Sequence, residues 1–498
     1  MTTGKDISRA TALAAALAAV FLVLAAPAAA NVALTQVSAD PFTNTTSQHA
    51  TEVEPDTFAF GSTVLATYQV GRFFNGGASD IGWARSSDGG ATWDVSSFLP
   101  GLTFNAGAYA DLDSPYERVS DPSVAYDARH ATWLISSIPI LPDISTPTIF
   151  VSRSTNGGAT FGNPVDIPQP VAKKIDLDKN WTACDNTPTS PFYGHCYTEF
   201  DNFAEGDLEY MSTSSDGGLT WSTPVSPAGT SHGLGGQPVV QPNGTVIVPF
   251  QALNKTISAF RSTDGGATWT KDVTIAHIAH HNVAGNLRTG PLPSAEIDGA
   301  GNVYVAWEDC RFEKKCVSND IVFSSSSDGA SWSDVTRVPI DPVGSGVDHF
   351  IPGLGVDRAT SGAGAHLALT YYFYPASSCT SATCQLEVGY ISSPDGGAHW
   401  GAPTQLAGPM TLAQIASTSQ GPMVGDYIST SFNAAGNAVP VIAVGKAPST
   451  AAFDEAMYAP TSTLSVASLS AATRVAGSAK VKVKPNGQGL TDEVIRRR

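Results

Sequence analysis

This chain of 498 residues has a formal charge of −17 and only 14% charged side chains, so it offers no basic surface to a nucleic acid or an anionic membrane, and both are excluded as partners. Low charge with 47 glycines suits an all-β extracellular protein with a neutral-polar surface. The excess of carboxylates is compatible with calcium, a cation that takes oxygen ligands.

Lys5 and Arg9 precede an Ala/Leu/Val run over residues 10–26, and Ala28-x-Ala30 is a small-residue cleavage site. This reads as a signal peptide over 1–30, giving a mature chain that begins at Asn31 and is secreted. The run is too short and alanine-rich for a membrane span, and no later segment comes nearer to one. Residues 31–38 then read as a lone β-strand.

From there the chain repeats one motif six times: Ser86-x-Asp88-x-Gly90-x-Thr92-Trp93, Ser154-x-Asn156-x-Gly158-x-Thr160-Phe161, Ser214-x-Asp216-x-Gly218-x-Thr220-Trp221, Ser262-x-Asp264-x-Gly266-x-Thr268-Trp269, the shortened Ser326-x-Asp328-Gly329-Ala330-Ser331-Trp332, and Ser393-x-Asp395-x-Gly397-x-His399-Trp400. The acidic or amide positions fall 48 to 68 residues apart, which is one supersecondary unit per copy. The Asp or Asn oxygen accepts backbone N–H groups across a tight turn, and the glycines supply positive φ. The aromatic buries its ring against a neighbouring unit. The box residues are therefore scaffold rather than catalysts.

Between boxes, period-two strands alternate with Gly/Asp/Asn turns, most cleanly at 295–298, 303–307, 320–325 and 335–338. Four strands per repeat arranged radially make a β-propeller. After the sixth box, strands are expected at 426–432, 438–444 and 455–459, with no box. Pairing them with 31–38 completes a seventh blade and closes the ring. Six blades with the last strands packed outside is the alternative. The propeller then covers 31–460, and 461–498 is a Ser/Ala-rich, basic tail expected to be poorly ordered. The six cysteines fall in three close pairs, Cys184 with Cys196, Cys310 with Cys316, and Cys379 with Cys384. Six cysteines allow fifteen pairings, but local pairs in an exported chain read as three disulfide staples.

The repeated motif resembles the Asp box, or bacterial neuraminidase repeat, of the sialidase superfamily. That resemblance implies boxes on one face and an active site on the other, built from loops entering the first strand and leaving the second of each unit. Those loops carry Glu54, Asp56, Arg72, Asp80, Asp121, Arg288, Arg311 and Tyr427. A sialidase holds its substrate's carboxylate with three arginines, whose planar guanidinium forks match it bidentately. It uses a tyrosine nucleophile activated by a glutamate, and an aspartate as acid/base. Arg72 resembles the arginine leaving the second strand of the first blade, and Arg311 in Trp307-Glu-Asp-Cys-Arg311 falls near the second family arginine. Arg288, Asp80 and Asp121 are further substrate-binding candidates. Tyr427 in Gly425-Asp-Tyr-Ile-Ser429 resembles the nucleophile, and Glu296 is a loose counterpart of its activating glutamate. The chain departs from the family at three points: the loop 73–79 holds no acid where the acid/base aspartate normally sits, Asp348-His349-Phe350-Ile-Pro352 stands where a third arginine is expected, and the first arginine is replaced. An acid-bearing stretch, Thr51-Glu-Val-Glu54-Pro-Asp56, stands where the family has its Arg-Ile-Pro arginine, which makes Glu54 a further catalytic candidate.

The expected function is a glycan-active, sialidase-like propeller hydrolysing an acidic or other sugar, with two axial carboxylates as acid and base or nucleophile. The alternative is a non-catalytic carbohydrate-binding or adhesion propeller that keeps the scaffold alone. No cofactor is required, although Glu54-Pro-Asp56 and Ser120-Asp-Pro-Ser123 make Asp56 and Asp121 candidate calcium ligands. The partner is a glycan or glycoconjugate and the chain acts as a monomer. No Gly-x-Ser-x-Gly elbow, P-loop or His-Glu-x-x-His occurs, so triad-hydrolase, nucleotide and zinc-protease readings fall away.

Overall fold

A computed structural model describes residues 32–448 and 452–474; the signal-peptide reading and the end of the tail lie outside them. Among these residues the structure is all-β, interrupted by three-residue 3-10 turns, and no helix is long and apolar enough to cross a membrane. The first unit is Glu52–Phe60, Thr63–Arg72, Ala78–Ser86 and Val95–Phe98, and the second is Arg118–Asp127, Thr132–Ile140, Phe150–Ser154 and Val165–Asp166. A single edge pair, Ala78 with Val119, joins them. The third unit has Leu177–Cys184, Cys196–Asn202 and Leu208–Ser214. In the fourth, Gly233–Leu234 and Val239–Val240 both pair with Val246–Ala252, followed by Thr256–Ser262 and Val273–His277. The fifth unit is Ser294–Ile297, Val303–Asp309, Asp320–Ser326 and Thr336–Arg337, and the sixth is Asp348–Val356, Leu367–Tyr374, Gln385–Ser393 and Thr404–Thr411. All pairings within these units are antiparallel.

A further sheet runs Ser429–Phe432, Asn437–Gly445, Glu455–Pro460, then Leu34–Gln36 from the other end of the chain. Leu34 faces Pro460 and Gln36 faces Tyr458. The stretch 426–428, expected to open the first of these strands, stays outside it. Within its described part, residues 461–474, the Ser/Ala-rich stretch makes three contacts with the sheets. Leu464–Ser465 pairs with Asn437 and Ala438, Thr473–Arg474 pairs with His399 and Trp400, and the Ala467 N–H donates to Ser392 Oγ. Alanine's small side chain lets this segment lie against Gly401.

The six boxes close as their sequence demands. In the first, Ser86 Oγ accepts the Gly90 N–H and donates to Asp88 Oδ1, both at 2.8 Å, while Asp88 accepts the Thr92 N–H at 2.8 Å and the Thr92 hydroxyl at 2.6 Å. Asn156 substitutes an amide donor toward Thr160 Oγ1, and in the last box His399 Nδ1 bonds Asp395 Oδ2 in the threonine's place. Each box then docks on the preceding unit. Phe161 packs on Trp83, Trp269 on Tyr197 and Trp400 on Phe323. The second glycine of each turn lets its backbone approach closely. A Cβ at Gly158 would lie 2.9 Å from Leu65, at Gly218 2.8 Å from Leu134, and at Gly397 2.5 Å from Phe323. The first box docks in the same way on the C-terminal sheet, where a Cβ at Gly90 would lie 2.6 Å from Val439.

Gly397 also has φ +88°, whereas Gly157, at φ +72°, has open space around it. Gly157→Ala should cost the strain alone, about 1–2 kcal/mol. Gly397→Ala adds overpacking against a ring and should cost about 2–4 kcal/mol. Denaturant unfolding of the two variants checks the ordering, and equal costs would rule out the docking role of the glycine.

The innermost strands are tied to one another by side-chain bonds. Asp56 Oδ2 accepts the Val124 N–H at 2.7 Å, Ser123 Oγ the Thr182 N–H at 3.2 Å, and Gln237 Oε1 the Ala295 N–H at 2.8 Å. Ser294 Oγ accepts the Leu354 N–H at 2.9 Å, and Thr430 Oγ1 donates to the Gly353 carbonyl at 2.9 Å. Ser429 Oγ takes the Thr57 N–H at 3.0 Å, linking the C-terminal sheet to the first unit. All three expected disulfides are formed.

Candidate functional site

In four units the inner strand carries the same irregularity near its start. The register slips between Val53 and Asp56, Ser120 and Ser123, Asp178 and Trp181, and Phe350 and Gly353. Within each slip one residue has positive φ: Glu54 (57°), Asp121 (49°), Lys179 (55°) and Ile351 (50°). A bulge re-aims the side chain it carries, and positive φ at such residues costs of order 1–3 kcal/mol each. Three of the four carry charge, and they meet. The Lys179 N–H donates to Asp121 Oδ2 at 3.3 Å, and Lys179 Nζ lies 3.7 Å from Glu54 Oε1 and 2.5 Å from Asp426 Oδ2.

Arg288 grips the same Asp426 with two prongs, Nε to Oδ1 at 2.6 Å and Nη2 to Oδ2. The Asp426 N–H donates to Glu54 Oε1 at 3.2 Å, and Glu54 Oε2 accepts from Gln69. Burial raises the Glu54 carboxyl to about 7, with Lys179 opposing and Asp121 and Asp426 reinforcing the shift. Arg72 is buried. Its Nη1 donates to Gln69 Oε1 at 2.7 Å and to the Gly77 carbonyl at 3.3 Å, while its Nε has no partner. Burial and then the nearby Arg288 pull its guanidinium down to about 10.

Beside this cluster opens a cavity of ≈ 110 Å³ lined by Arg72, Arg118, Asp121, Asp176, Asp178 and Arg288, with Ile138, Ile140 and Ile144 among its apolar residues. Arg118 was not anticipated. It lies 4.3 Å over the Phe73 ring and pairs with Glu117 at 2.6 Å and Asn75 at 2.7 Å. Its position as first residue of the second unit's inner strand, three residues before Asp121, was the available signal.

Arg72, Arg288 and Asp121 are thus brought to one cavity, with Glu54 behind it. Tyr427 sits in the adjoining cluster but does not line that cavity. Its ring meets Trp181 edge-on at 5.1 Å and Lys179 Nζ at 5.4 Å, and its hydroxyl donates to the Pro122 carbonyl at 3.1 Å. Burial, then the surrounding carboxylates led by Glu54, push the phenol well above its usual range. In this arrangement the hydroxyl is engaged with a backbone carbonyl rather than facing the cavity.

Three other candidates lie elsewhere. Arg311 is held by Asp309, two residues back, at 2.9 and 2.7 Å, and also donates to the His277 carbonyl. Glu296 pairs with Arg358 at 3.3 Å in a second cavity of ≈ 360 Å³ lined by Phe58, Phe60, Asp298 and Phe432. Its register opposite Tyr304 sets it toward the box end of the fifth unit. Asp80 is buried with Oδ1 on the Ile81 N–H and Oδ2 without a partner, and it lines neither cavity. Asp56 spends its two oxygens on the N–H groups of Thr57 and Val124. Through these two bonds it links the first unit to the second.

No family model matches the chain. A xyloglucanase from a Paenibacillus species is 30% identical over 221 residues, covering 39% of this chain and 19% of the relative. A sialidase from Bacteroides fragilis (strain YCH46) is 27% identical over 168 residues, covering 28% of each chain. The matches therefore span well under a third of either relative's length. Among solved structures, the Hadza microbial sialidase Hz136 is 18% identical with a TM-score of 0.44, covering 65% of this chain and 64% of its own. The Trypanosoma rangeli sialidase in complex with sialic acid is 12% identical with a TM-score of 0.47, covering 74% and 60%. In its six Asp boxes and in the sequence relatives alike, this chain is similar to the sialidase superfamily.

Proposed function

We propose that the chain is a secreted, monomeric, glycan-active propeller of the sialidase type, a glycoside hydrolase whose site lies where the inner strands begin, opposite the boxes. The observation that carries this reading is the cavity in which Arg72, Arg118 and Arg288 face Asp121 and Asp178 beside the buried cluster of Glu54, Lys179 and Asp426. Asp121 and Asp178 are the carboxylates set to act as acid and base on a glycosidic bond, and Arg72 and Arg118 supply positive potential for an acidic or uronic sugar. Tyr427 positions Lys179 and Trp181 rather than attacking. The ring itself is proposed to have seven blades closed by the N-terminal strand. The bonds from one inner strand to the next, and the docking of the first box on the C-terminal sheet, support that count. Three disulfides support an oxidising compartment.

The rival reading, a binding propeller without chemistry, is favoured by the neutral, hydrogen-bonded state of Tyr427 and by the capture of Arg288 by Asp426. Purified protein offered an aryl sialoside and a panel of uronic and neutral glycans separates the two. Turnover that falls at least about 100-fold in Asp121→Asn, a loss typical of removing a general acid or base, supports the hydrolase. Binding without turnover, unchanged in that variant, supports the module. If no glycan is bound or cleaved, both readings are rejected.

A further inference from the structure

A second cluster of ionisable groups lies between the fifth and sixth units, apart from the arginine-lined cavity. Asp320 opens its strand, Asp341 lies in the connection that follows Thr336–Arg337, and His349 is the second residue of Asp348–Val356. One ligand-capable atom from each lies within 4.8 Å of the others. Asp320 is 3% exposed and His349 1%, and Asp341 is half-buried.

Buried polar atoms are paired as a rule, because leaving one unpaired costs its full desolvation. Here part of the cluster is paired, while Arg337 Nε and two of the ligand-capable residues' own atoms are not. Arg337 Nη2 binds Oδ1 of Asp320 at 2.6 Å and Oδ1 of Asp341 at 2.5 Å, and Arg337 Nη1 donates to the Asp341 carbonyl at 2.7 Å. The Ser345 hydroxyl donates to Asp341 Oδ2. Oδ2 of Asp320 and Nδ1 of His349, by contrast, have no hydrogen-bond partner. The imidazole is held in place by the rings of Tyr371 and Phe373, with centroids at 5.5 and 6.0 Å.

This is the pattern of a ligand set with its outer shell already built. The Arg337 guanidinium fixes the two carboxylates, as outer-shell partners do at metal sites, and Asp320 Oδ2 stays unpaired beside His349 and the Ser345-bonded Asp341 Oδ2. The arginine offsets one of the two negative charges, so a divalent ion brings the cluster from about −1 to about +1 instead of stranding a larger excess. Two carboxylates with one imidazole suit a borderline transition ion, whereas calcium and magnesium prefer all-oxygen shells with more ligands.

We propose that Asp320, Asp341 and His349 bind a divalent transition-metal ion of the zinc class, completed by water, which pins the connection carrying Asp341 to the start of the sixth unit's inner strand. The role is structural and independent of glycan chemistry. A chain carrying no polyhistidine tag, stripped with chelator and titrated calorimetrically with Zn²⁺, should bind one equivalent and unfold at a higher temperature when loaded. Asp341→Asn, at a half-buried position where the fold tolerates change, and His349→Gln should each weaken binding at least tenfold, with circular dichroism checking that both fold. Cobalt(II) in the same site should give a visible ligand-field band that both variants lose. Zinc binding equal in the wild type and the Asp341→Asn/His349→Gln double variant would overturn the proposal. So would a wild type that takes Ca²⁺ or Mg²⁺ more tightly than Zn²⁺.

Discussion

Asp426→Asn should be the most damaging single change in the site, costing about 3–5 kcal/mol, the usual penalty for removing one partner of a buried ion pair. The carboxylate is shared by Arg288, which grips it with two prongs, and by Lys179 Nζ at 2.5 Å. All three side chains are nearly enclosed, at 11%, 3% and 10% exposure for Arg288, Lys179 and Asp426. With the charge gone, Lys179 retains Glu54 at 3.7 Å, but Arg288 loses the two-pronged bond to Asp426. The vacated seat is then complementary to a small carboxylate, because a guanidinium fork and an ammonium converge on it. Formate in the millimolar range should therefore restore part of the lost stability in the variant and leave the wild type unaffected. Denaturant unfolding with and without formate reads both effects. A variant as stable as the wild type would show that Asp426 is not the anchor of the cluster, and a destabilised variant indifferent to formate would show that no anion seat exists there. The same internal carboxylate bears on the proposed function: while Asp426 occupies Arg288 and Lys179, the reading leaves recognition of an acidic sugar to Arg72 and Arg118.

Much of the scaffold was legible because its determinants are local. Every bond of a box lies within a few residues, so Ser86, Asp88, Gly90 and Thr92 announce their turn from sequence alone. Close cysteine spacing worked for the same reason. The site was legible only in part, because its residues are assembled by bulges that period-two patterning does not reveal. Glu54, Asp121 and Ile351 each precede a proline, a position that ordinarily favours extended backbone, yet each has positive φ. That departure turns three side chains in a direction the strand pattern would not suggest. Arg311 misled for a simpler reason. Its family-like context includes Asp309, whose carboxylate holds the guanidinium, and Arg311 does not line the arginine-lined cavity. Glu296 was placed by loose register, and its strand carries it toward the box end instead.

Stability should fall as pH rises from 5 to 8, the reverse of the behaviour of a protein held by surface ion pairs. Burial raises Asp56, Glu209, Asp320 and Asp348 to about 7, and lifts Glu52, Asp80, Glu199 and Glu455 well above the carboxylate range. In the unfolded chain these groups ionise near pH 4. Between there and pH 7 the folded state binds more protons than the unfolded one, so stability declines with pH until the folded groups have titrated. His280, raised by its pairing with Glu308 in spite of burial, acts in the same direction, whereas His349, lowered by burial to about 4, opposes it below pH 6.5. The box carboxylates oppose it only at lower pH. Asp88 is lowered by the Thr92 hydroxyl and N–H, and at Asp216, Asp264 and Asp395 hydrogen bonds from the Thr or His partner outweigh burial. Their contribution is present above pH 4 and is lost as pH falls through their depressed values. One carboxyl that ionises at about 4 in the unfolded chain and at about 7 in the folded one would account for about 2.7 kcal/mol of the change between pH 5 and pH 8. After allowance for coupling among neighbours, the whole set should make the chain at least about 3 kcal/mol less stable at pH 8 than at pH 5. Asp56→Asn, which keeps one acceptor and removes one of the titrating groups, should flatten the slope. Urea unfolding across this range tests the reading, and a profile that is flat or rises toward pH 8 would mean that the buried carboxyls are solvated or paired well enough to stay ionised in the folded chain.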